Sequence, residues 1–127
     1  MHENGRSTIL VCDDDDGLRE LMKVTLGGGY RYVEATDGEA AISACRTERP
    51  DLVLLDVMLP GASGLEVLQT LRRDRGLRDV PVIVVSAWQS PDDQAAAATA
   101  GADDFLGKPF ELEDLTEAVS RLLERGS

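Results

Sequence analysis

The chain has 127 residues, 43% of them hydrophobic, a size and composition that fit one globular domain with a buried core. Its formal net charge is −11, which argues against a surface that grips a phosphate backbone and predicts no direct nucleic-acid partner. No stretch approaches the roughly 18 apolar residues of a membrane span, and the N-terminus lacks the features of a signal peptide, so we expect a soluble, cytoplasmic protein. We expect a loose tail over residues 1–7, one domain over 8–124, and a C-terminal tail over 125–127.

Short apolar runs rich in β-branched residues alternate with helical patterns along the chain. The predicted strands cover residues 8–12, 30–35, 51–56, 80–86 and 104–107. Each is followed by a predicted helix, the first on the i, i+3, i+4 spacing of Leu18, Leu21 and Met22. The runs "DLVLLDV" and "VPVIVVSA" are continuously apolar, which is typical of strands buried on both faces of a parallel sheet. The sequence therefore predicts an α/β fold, a doubly wound five-stranded parallel sheet of flavodoxin-like type with helices on both faces.

Polar side chains lie at the carboxyl ends of four of the predicted strands. The run "DDDD" at 13–16 follows the first strand, Asp56 ends the third, Ser86 ends the fourth, and Lys108 follows the fifth. Ligands of doubly wound sheets bind beyond these strand ends, near the point where the strand order reverses, so we expect the side chains to converge. Carboxylate oxygens without histidine or cysteine suit a hard cation, and Mg²⁺ is the usual choice. A carboxylate beside such a cation and a lysine can attack phosphorus.

Not every residue at this rim is expected to carry chemistry. Asp15 and Asp16 are expected to be helix-capping or solvated turn residues. Asp15 is well placed to cap the first helix, because acidic side chains favour a helix N-terminus. Ser63 or Gly64 is expected near the N-cap of the third helix. The Lys108–Pro109 bond is a candidate cis peptide.

Four stretches of the chain, "ILVCDDDDGLRELM", "DLVLLDVMLPGASGLEVLQTLR", "VPVIVVSAW" and "AGADDFLGKPF", resemble the receiver domain of two-component response regulators. The resemblance spans about residues 8–123. It implies that Asp56 is the phosphoacceptor, taking a phosphoryl group from a histidine kinase or a phosphotransfer protein. It also implies the Mg²⁺ ligands, which are Asp14 directly, Asp13 largely through water, Asp56, and the main-chain carbonyl of Met58.

The resemblance implies a two-state switch as well. Lys108 matches the lysine of the family pattern, Ser86 the switch hydroxyl and Phe105 the switch aromatic residue. Phosphorylated Asp56 is expected to draw in Ser86, which vacates space for Phe105. The face of the fourth helix, fifth strand and fifth helix would then change toward a downstream output domain or protein target. A dimer that forms on phosphorylation is compatible with this mechanism.

Two large side chains follow the expected site residues by two positions. Met58 lies two residues beyond Asp56, and Trp88 two beyond Ser86. We hypothesise that both shield the acyl phosphate from water. Replacing both with small polar residues is then expected to accelerate dephosphorylation, and an unchanged rate would refute the hypothesis.

Three other functions compete with this interpretation. An aspartate-nucleophile phosphatase needs a second aspartate two residues after the nucleophile, where this chain has Met58. A flavodoxin-like cofactor binder needs a Ser/Thr/Gly phosphate loop where this chain has four aspartates. A degenerate receiver that acts as a phosphorylation-independent interaction module stays the alternative. We therefore expect a signalling switch that assists its own phosphoryl transfer and dephosphorylation, not a classical enzyme.

Overall fold

The structure, a computed structural model, describes residues 6–87 and 90–125, with side chains to residue 124. The strands are β1 (Thr8–Cys12), β2 (Arg31–Ala35), β3 (Leu52–Leu55), β4 (Val82–Ser86) and β5 (Asp104–Gly107). The helices are α1 (Asp16–Leu26), α2 (Gly38–Glu48), α3 (Gly64–Arg73), α4 (Pro91–Ala100) and α5 (Leu112–Arg125). Within this part of the chain the strands form one parallel sheet in the order β2-β1-β3-β4-β5. The predicted fold class is confirmed, with β2, β3 and β4 one or two residues shorter than predicted.

The sheet separates two hydrophobic layers, and alternate residues of each central strand enter opposite layers. On β1, Leu10 and Cys12 pack toward α2, α3 and α4, whereas Ile9 and Val11 pack toward α1 and α5. All residues of β1, β3 and β4 are buried. Burial on both faces explains why these strands are continuously apolar, and it holds their carboxyl ends in place.

Side-chain caps fix the starts of the helices near those carboxyl ends. Asp15 caps α1 and accepts a hydrogen bond from the N–H of Leu18 at 3.1 Å, which confirms the predicted capping role. Ser63 caps α3 and forms a capping box with Glu66, in which each side chain accepts an N–H of the other residue. Of the two residues expected near this N-cap, Ser63 is the cap and Gly64 is the first residue of the helix.

Helix α4 is held mainly at its ends. Ser90 closes its N-terminus with a capping box, and the C-cap Gly101 has a left-handed φ of 111° that glycine adopts without strain. Arg72 of α3 donates two hydrogen bonds to the carbonyl of Gly101, at 2.7 and 3.0 Å. Between these ends Ala97 is the single buried residue of the helix. The middle of α4 therefore contributes little packing energy, since alanine side chains bury little apolar area.

Within residues 6–87 and 90–125, no helix has both the length and the apolar character that a membrane crossing requires. Residues 1–5, 126 and 127 of the two predicted tails lie outside the described part of the chain. The predicted tail boundaries therefore stay predictions.

Candidate functional site

Two buried aspartates follow neighbouring strands at their carboxyl ends, at the point where the strand order of the sheet reverses. Asp13 follows β1 and is 1% exposed, and Asp56 follows the neighbouring β3 and is 4% exposed. The N–H of Asp13 donates to the carbonyl of Ala35 at 3.1 Å, and the N–H of Asp56 donates to the carbonyl of Cys12 at 3.0 Å. Because β2 lies on one side of β1 and β3 on the other, a crevice opens at this reversal, where ligands of such sheets bind.

The ammonium group of Lys108 bridges the two aspartates. Its Nζ donates to Asp13 Oδ2 at 2.9 Å and to Asp56 Oδ2 at 3.0 Å. Lys108 follows β5, its N–H donates to the carbonyl of Ser86 at 2.7 Å, and its bond to Pro109 is cis, as expected. Burial by itself lowers the pKa of Lys108, but the hydrogen bonds to the two carboxylates outweigh it and the pKa is raised. The lysine is therefore a fixed positive charge at neutral pH.

Asp14 completes a cluster of three carboxylates. Asp13, Asp14 and Asp56 each offer one oxygen, and these oxygens all lie within 4.8 Å of one another. Three carboxylate oxygens with no nitrogen or sulfur donor form a ligand set that suits a hard divalent cation such as Mg²⁺. Lys108 offsets one of the three negative charges, so the cluster keeps a net charge of about −2. The residues present could therefore hold such a cation.

The main chain of Met58 lies against the same cluster. Its N–H donates to Asp56 Oδ1 at 2.9 Å, so both oxygens of Asp56 have a hydrogen-bond donor, one from Met58 and one from Lys108. Met58 is 50% exposed beside the site. Trp88, its predicted companion in shielding the site, lies outside the described residues. The predicted shielding role stays a prediction.

Ser86 and Phe105, the predicted switch residues, lie on the neighbouring strands β4 and β5. Ser86 ends β4, is fully buried, and is in register with Gly107, the residue before Lys108. Phe105 is half-buried and borders a small cavity of about 40 Å³ that Leu65 of α3 and Ala96 of α4 also line. The structure therefore brings Ser86 to the strand ends that carry the aspartates, and it places Phe105 against α4. Their switching roles stay predictions.

A buried arginine that the sequence analysis missed contacts the aspartate loop. Arg19 of α1 is 8% exposed; its Nη1 donates to the carbonyl of Asp13 at 2.7 Å and its Nε to Glu34 Oε1 at 2.8 Å. Its Nη2 also pairs with the carboxylate of Asp16, the first residue of α1. Glu34 is an exposed residue of β2, so nothing in the sequence around it signalled a contact with Arg19 of α1.

A second residue that the sequence analysis did not connect with the site is Gly64. A Cβ atom at this position would lie 2.3 Å from the carbonyl oxygen of Asp56 and 2.4 Å from the Cα of Val57. The N–H of Gly64 donates to the carbonyl of Val57 at 3.0 Å. Helix α3 therefore begins directly against the main chain that carries Asp56, and only glycine leaves room for this approach.

The fold and the site define a class of signalling domain, in which one aspartate at the end of the third strand lies beside an acidic pair and a lysine. The family model of the response regulator receiver domain matches residues 9–120, and this chain belongs to that family. Receiver domains are signalling switches and not classical enzymes, which confirms that part of the prediction.

Known relatives agree with this assignment. The chain is 41% identical over 121 residues to the DNA-binding response regulator MtrA of Mycolicibacterium smegmatis, covering 94% of this chain and 52% of MtrA. It is 43% identical over 118 residues to the response regulator MprA of Mycolicibacterium vanbaalenii, covering 92% of this chain and 50% of MprA. The structure of the Francisella response regulator 1452 receiver domain matches with a TM-score of 0.89 and 30% identity, covering 96% of this chain and all of that one.

The comparison corrects one prediction. We predicted no direct nucleic-acid partner from the net charge of −11, and this prediction is wrong, because relatives such as MtrA are DNA-binding response regulators. The chain spans about half the length of these relatives. The charge argument failed because the net charge of a receiver domain bears only on what that domain binds. The DNA binding of its relatives is a property of proteins about twice as long.

Proposed function

We propose that this receiver domain accepts a phosphoryl group on Asp56 in a Mg²⁺-dependent reaction and thereby switches a downstream partner. The observation that carries the proposal is the position of Lys108 Nζ, within 3.0 Å of a carboxylate oxygen of both Asp13 and Asp56. This arrangement provides a nucleophilic carboxylate, a fixed positive charge beside it and an acidic pair for a cation. These are the components that phosphoryl transfer to an aspartate requires.

In the proposed reaction a carboxylate oxygen of Asp56 attacks the phosphorus of a phosphohistidine. A P–O bond forms as the P–N bond breaks, and the electron pair of the broken bond goes to the imidazole nitrogen of the donor. Mg²⁺, when bound, neutralises charge on the transferring oxygens. Lys108 donates hydrogen bonds to a phosphoryl oxygen, Asp13 and Asp14 would hold the cation, and the Ser86 hydroxyl donates to the bound phosphoryl group. Hydrolysis reverses the modification when water attacks the same phosphorus and Asp56 leaves as a carboxylate.

The surface beside the site supports a protein as the phosphoryl donor. Lys108 lines a cavity of about 300 Å³ together with apolar side chains of α1 and of the β5–α5 loop, among them Leu18, Leu21 and Phe110. Leu21 is 44% exposed although it is large and apolar. Because the histidine of the donor must reach Asp56 next to Lys108, the protein that carries it would cover this apolar surface.

The proposed output lies on the face formed by α4, β5 and α5. Phe105 of β5 and the weakly packed middle of α4 lie close to each other there. The phosphoryl group shifts this face only through contacts that differ between the two states, which we assign to Ser86 and Lys108. Since MtrA is a DNA-binding response regulator, we propose a DNA-binding unit as the downstream partner of this switch.

The proposal is tested by intact mass measurement after incubation with acetyl phosphate. We expect a phosphoryl adduct on the wild type with Mg²⁺, and none with EDTA or in Asp56→Asn. Asp15→Asn is the matched control, because asparagine caps a helix as well as aspartate does, and it should be modified like the wild type. If the wild type binds Mg²⁺ but forms no adduct, the proposal is wrong and a phosphorylation-independent interaction module takes its place.

A further inference from the structure

We propose that Arg19 is a positioning residue of the cation site, which holds the 13–15 loop in the conformation that presents Asp14. The inference deepens the proposed function and rests on the Mg²⁺ dependence proposed there. It concerns a side chain on α1 that touches neither Asp56 nor Lys108 in the hydrogen bonds described above.

The guanidinium of Arg19 is fixed from three directions. Nη1 donates to the carbonyl of Asp13 at 2.7 Å, Nε donates to Glu34 Oε1 at 2.8 Å, and Nη2 pairs with Asp16. Lys23 Nζ donates to Glu34 Oε2 at 3.1 Å, so the carboxylate that anchors Arg19 is itself held. The hydrogen bond from Arg19, followed by that from Lys23, lowers the pKa of Glu34. A planar guanidinium whose three nitrogens all have partners is held rigidly. Glu34 of β2 and Asp16 of α1 thus fix the direction in which Nη1 donates to the Asp13 carbonyl.

Nη1 of Arg19 contacts the peptide group that links Asp13 to Asp14, two of the three residues of the carboxylate cluster. The carbonyl of Asp13 is coplanar with the N–H of Asp14, so a hydrogen bond to the carbonyl fixes the plane from which the Cα of Asp14 continues. Asp14 is exposed and lies on the loop before α1. Its carboxylate must still reach within 4.8 Å of those of Asp13 and Asp56. Arg19 therefore sets the direction of Asp14, the least enclosed member of the cluster.

The other polar atoms of Asp13 are each held by a different residue. Its N–H donates to the carbonyl of Ala35, Oδ1 accepts the N–H of Asp15 at 2.9 Å, and Oδ2 accepts Lys108 Nζ. Lys108 and Asp15 orient the side chain of Asp13, whereas Arg19 orients its carbonyl. The positioning role of Arg19 is thus separate from that of Lys108.

The sign of the change in Mg²⁺ affinity separates positioning from plain electrostatics. Arg19 is a positive charge beside a cation site, so its removal would tighten Mg²⁺ binding if charge alone mattered. Loss of positioning has the opposite effect, because a misdirected Asp14 no longer completes the ligand set. Residues that orient metal ligands typically contribute a factor of roughly 10 or more to metal affinity.

The test is calorimetric titration of Mg²⁺ into the wild type, Arg19→Gln, Arg19→Lys and Arg31→Gln, with thermal unfolding of each in EDTA. Arg31→Gln is the matched control, since Arg31 also pairs with a glutamate, Glu48 at 2.6 Å, but at the opposite end of β2. We expect Arg19→Gln to bind Mg²⁺ roughly 10-fold more weakly than the wild type. Arg19→Lys should also bind more weakly although it keeps the charge, because a single ammonium cannot reproduce the fork. Arg31→Gln should bind like the wild type.

Both Arg19 variants are informative, since Arg19→Lys is the smaller perturbation if Arg19→Gln folds poorly. Unchanged or tighter Mg²⁺ binding in a folded Arg19 variant would overturn the positioning role, even if its unfolding temperature fell. If the wild type binds Mg²⁺ and accepts a phosphoryl group, that result leaves the proposed function intact. If the wild type binds no Mg²⁺, both the positioning role and the proposed Mg²⁺ dependence are wrong.

Discussion

Replacing Asp14 with asparagine should stabilise the protein in the absence of a divalent cation. The Asp14 carboxylate lies within 4.8 Å of those of Asp13 and Asp56, and it is exposed, whereas the other two are buried. Asparagine has nearly the same shape as aspartate and removes one negative charge. The expected effect is therefore electrostatic, because no core packing is lost.

The size of the effect follows from the charges around Asp14. Asp13, Asp56 and Lys108 together carry one net negative charge, which repels the Asp14 carboxylate. Two like charges 4.8 Å apart repel by about 0.9 kcal/mol at the dielectric constant of water and by about 3.5 kcal/mol at an effective value of 20. Since Asp14 is exposed and screened, the lower figure applies. We expect Asp14→Asn to raise the free energy of unfolding by about 1 kcal/mol at low salt in EDTA.

Mg²⁺ should reverse the order of stability. A ligand that binds only the folded state at 100 times its dissociation constant stabilises it by about 2.7 kcal/mol. The wild type receives this gain, whereas Asp14→Asn has lost one carboxylate ligand and gains less at the same Mg²⁺ concentration. The variant is therefore expected to be the more stable protein in EDTA and the less stable one in Mg²⁺.

The assay is urea unfolding at low ionic strength, in EDTA and in Mg²⁺. Asp15→Asn is the control, because it removes a negative charge one residue further along while keeping the cap of α1. It should show no gain in EDTA and the full gain from Mg²⁺. If Asp14→Asn is no more stable than the wild type in EDTA, or if Mg²⁺ stabilises both equally, the three carboxylates do not form one cation site and the reasoning fails.

Two further predictions concern the main chain at Asp56 and the mobility of α4. Gly64→Ala should destabilise the protein by about 1–3 kcal/mol in urea unfolding and slow adduct formation on Asp56, since a Cβ atom would lie 2.3 Å from the carbonyl oxygen of Asp56. Gly28→Ala, with no atom within 4 Å of its Cβ, is the control, and equal effects in the two variants would contradict the packing argument. Backbone amides of α4 should exchange faster than those of α5, because α4 buries Ala97 alone; comparable protection in the two helices would show that α4 is not weakly anchored.

The arrangement of the strand ends could be predicted because it depends on local patterns. Continuous apolar runs place β1, β3 and β4 inside the sheet, and the residue that follows each run then lies at the carboxyl edge without further information. Asp13 and Asp56 reach the site in this way. The differences at strand boundaries are also local. Pro81, for example, has no N–H to donate to a ladder, and β4 begins one residue later, at Val82.

The residues that support the site depend on tertiary contacts, and the sequence analysis missed them for that reason. The role of Arg19, on α1, depends on Glu34, which is 15 residues away on β2. The need for glycine at Gly64 arises from the main chain of Asp56, which crosses the start of α3. In the sequence pattern, Arg19 does not differ from the other charged residues of its helix, and Gly64 does not differ from the other residues of the turn before α3. Neither role follows from spacing along the chain.

The site has an enclosed half and an open half, and we expect the two halves to govern different properties of the proposed switch. Asp13, Asp56 and Lys108 are joined by hydrogen bonds, and the two aspartates are buried, so these groups would need little reorganisation in the proposed phosphoryl transfer. Asp14 and Met58 lie on the exposed side, from which the proposed phosphoryl donor and the hydrolytic water would both approach. A substitution in the enclosed half is therefore expected to abolish the chemistry. A change at Met58 is expected to alter the lifetime of the proposed phosphoryl group while Asp13, Asp56 and Lys108 stay in place.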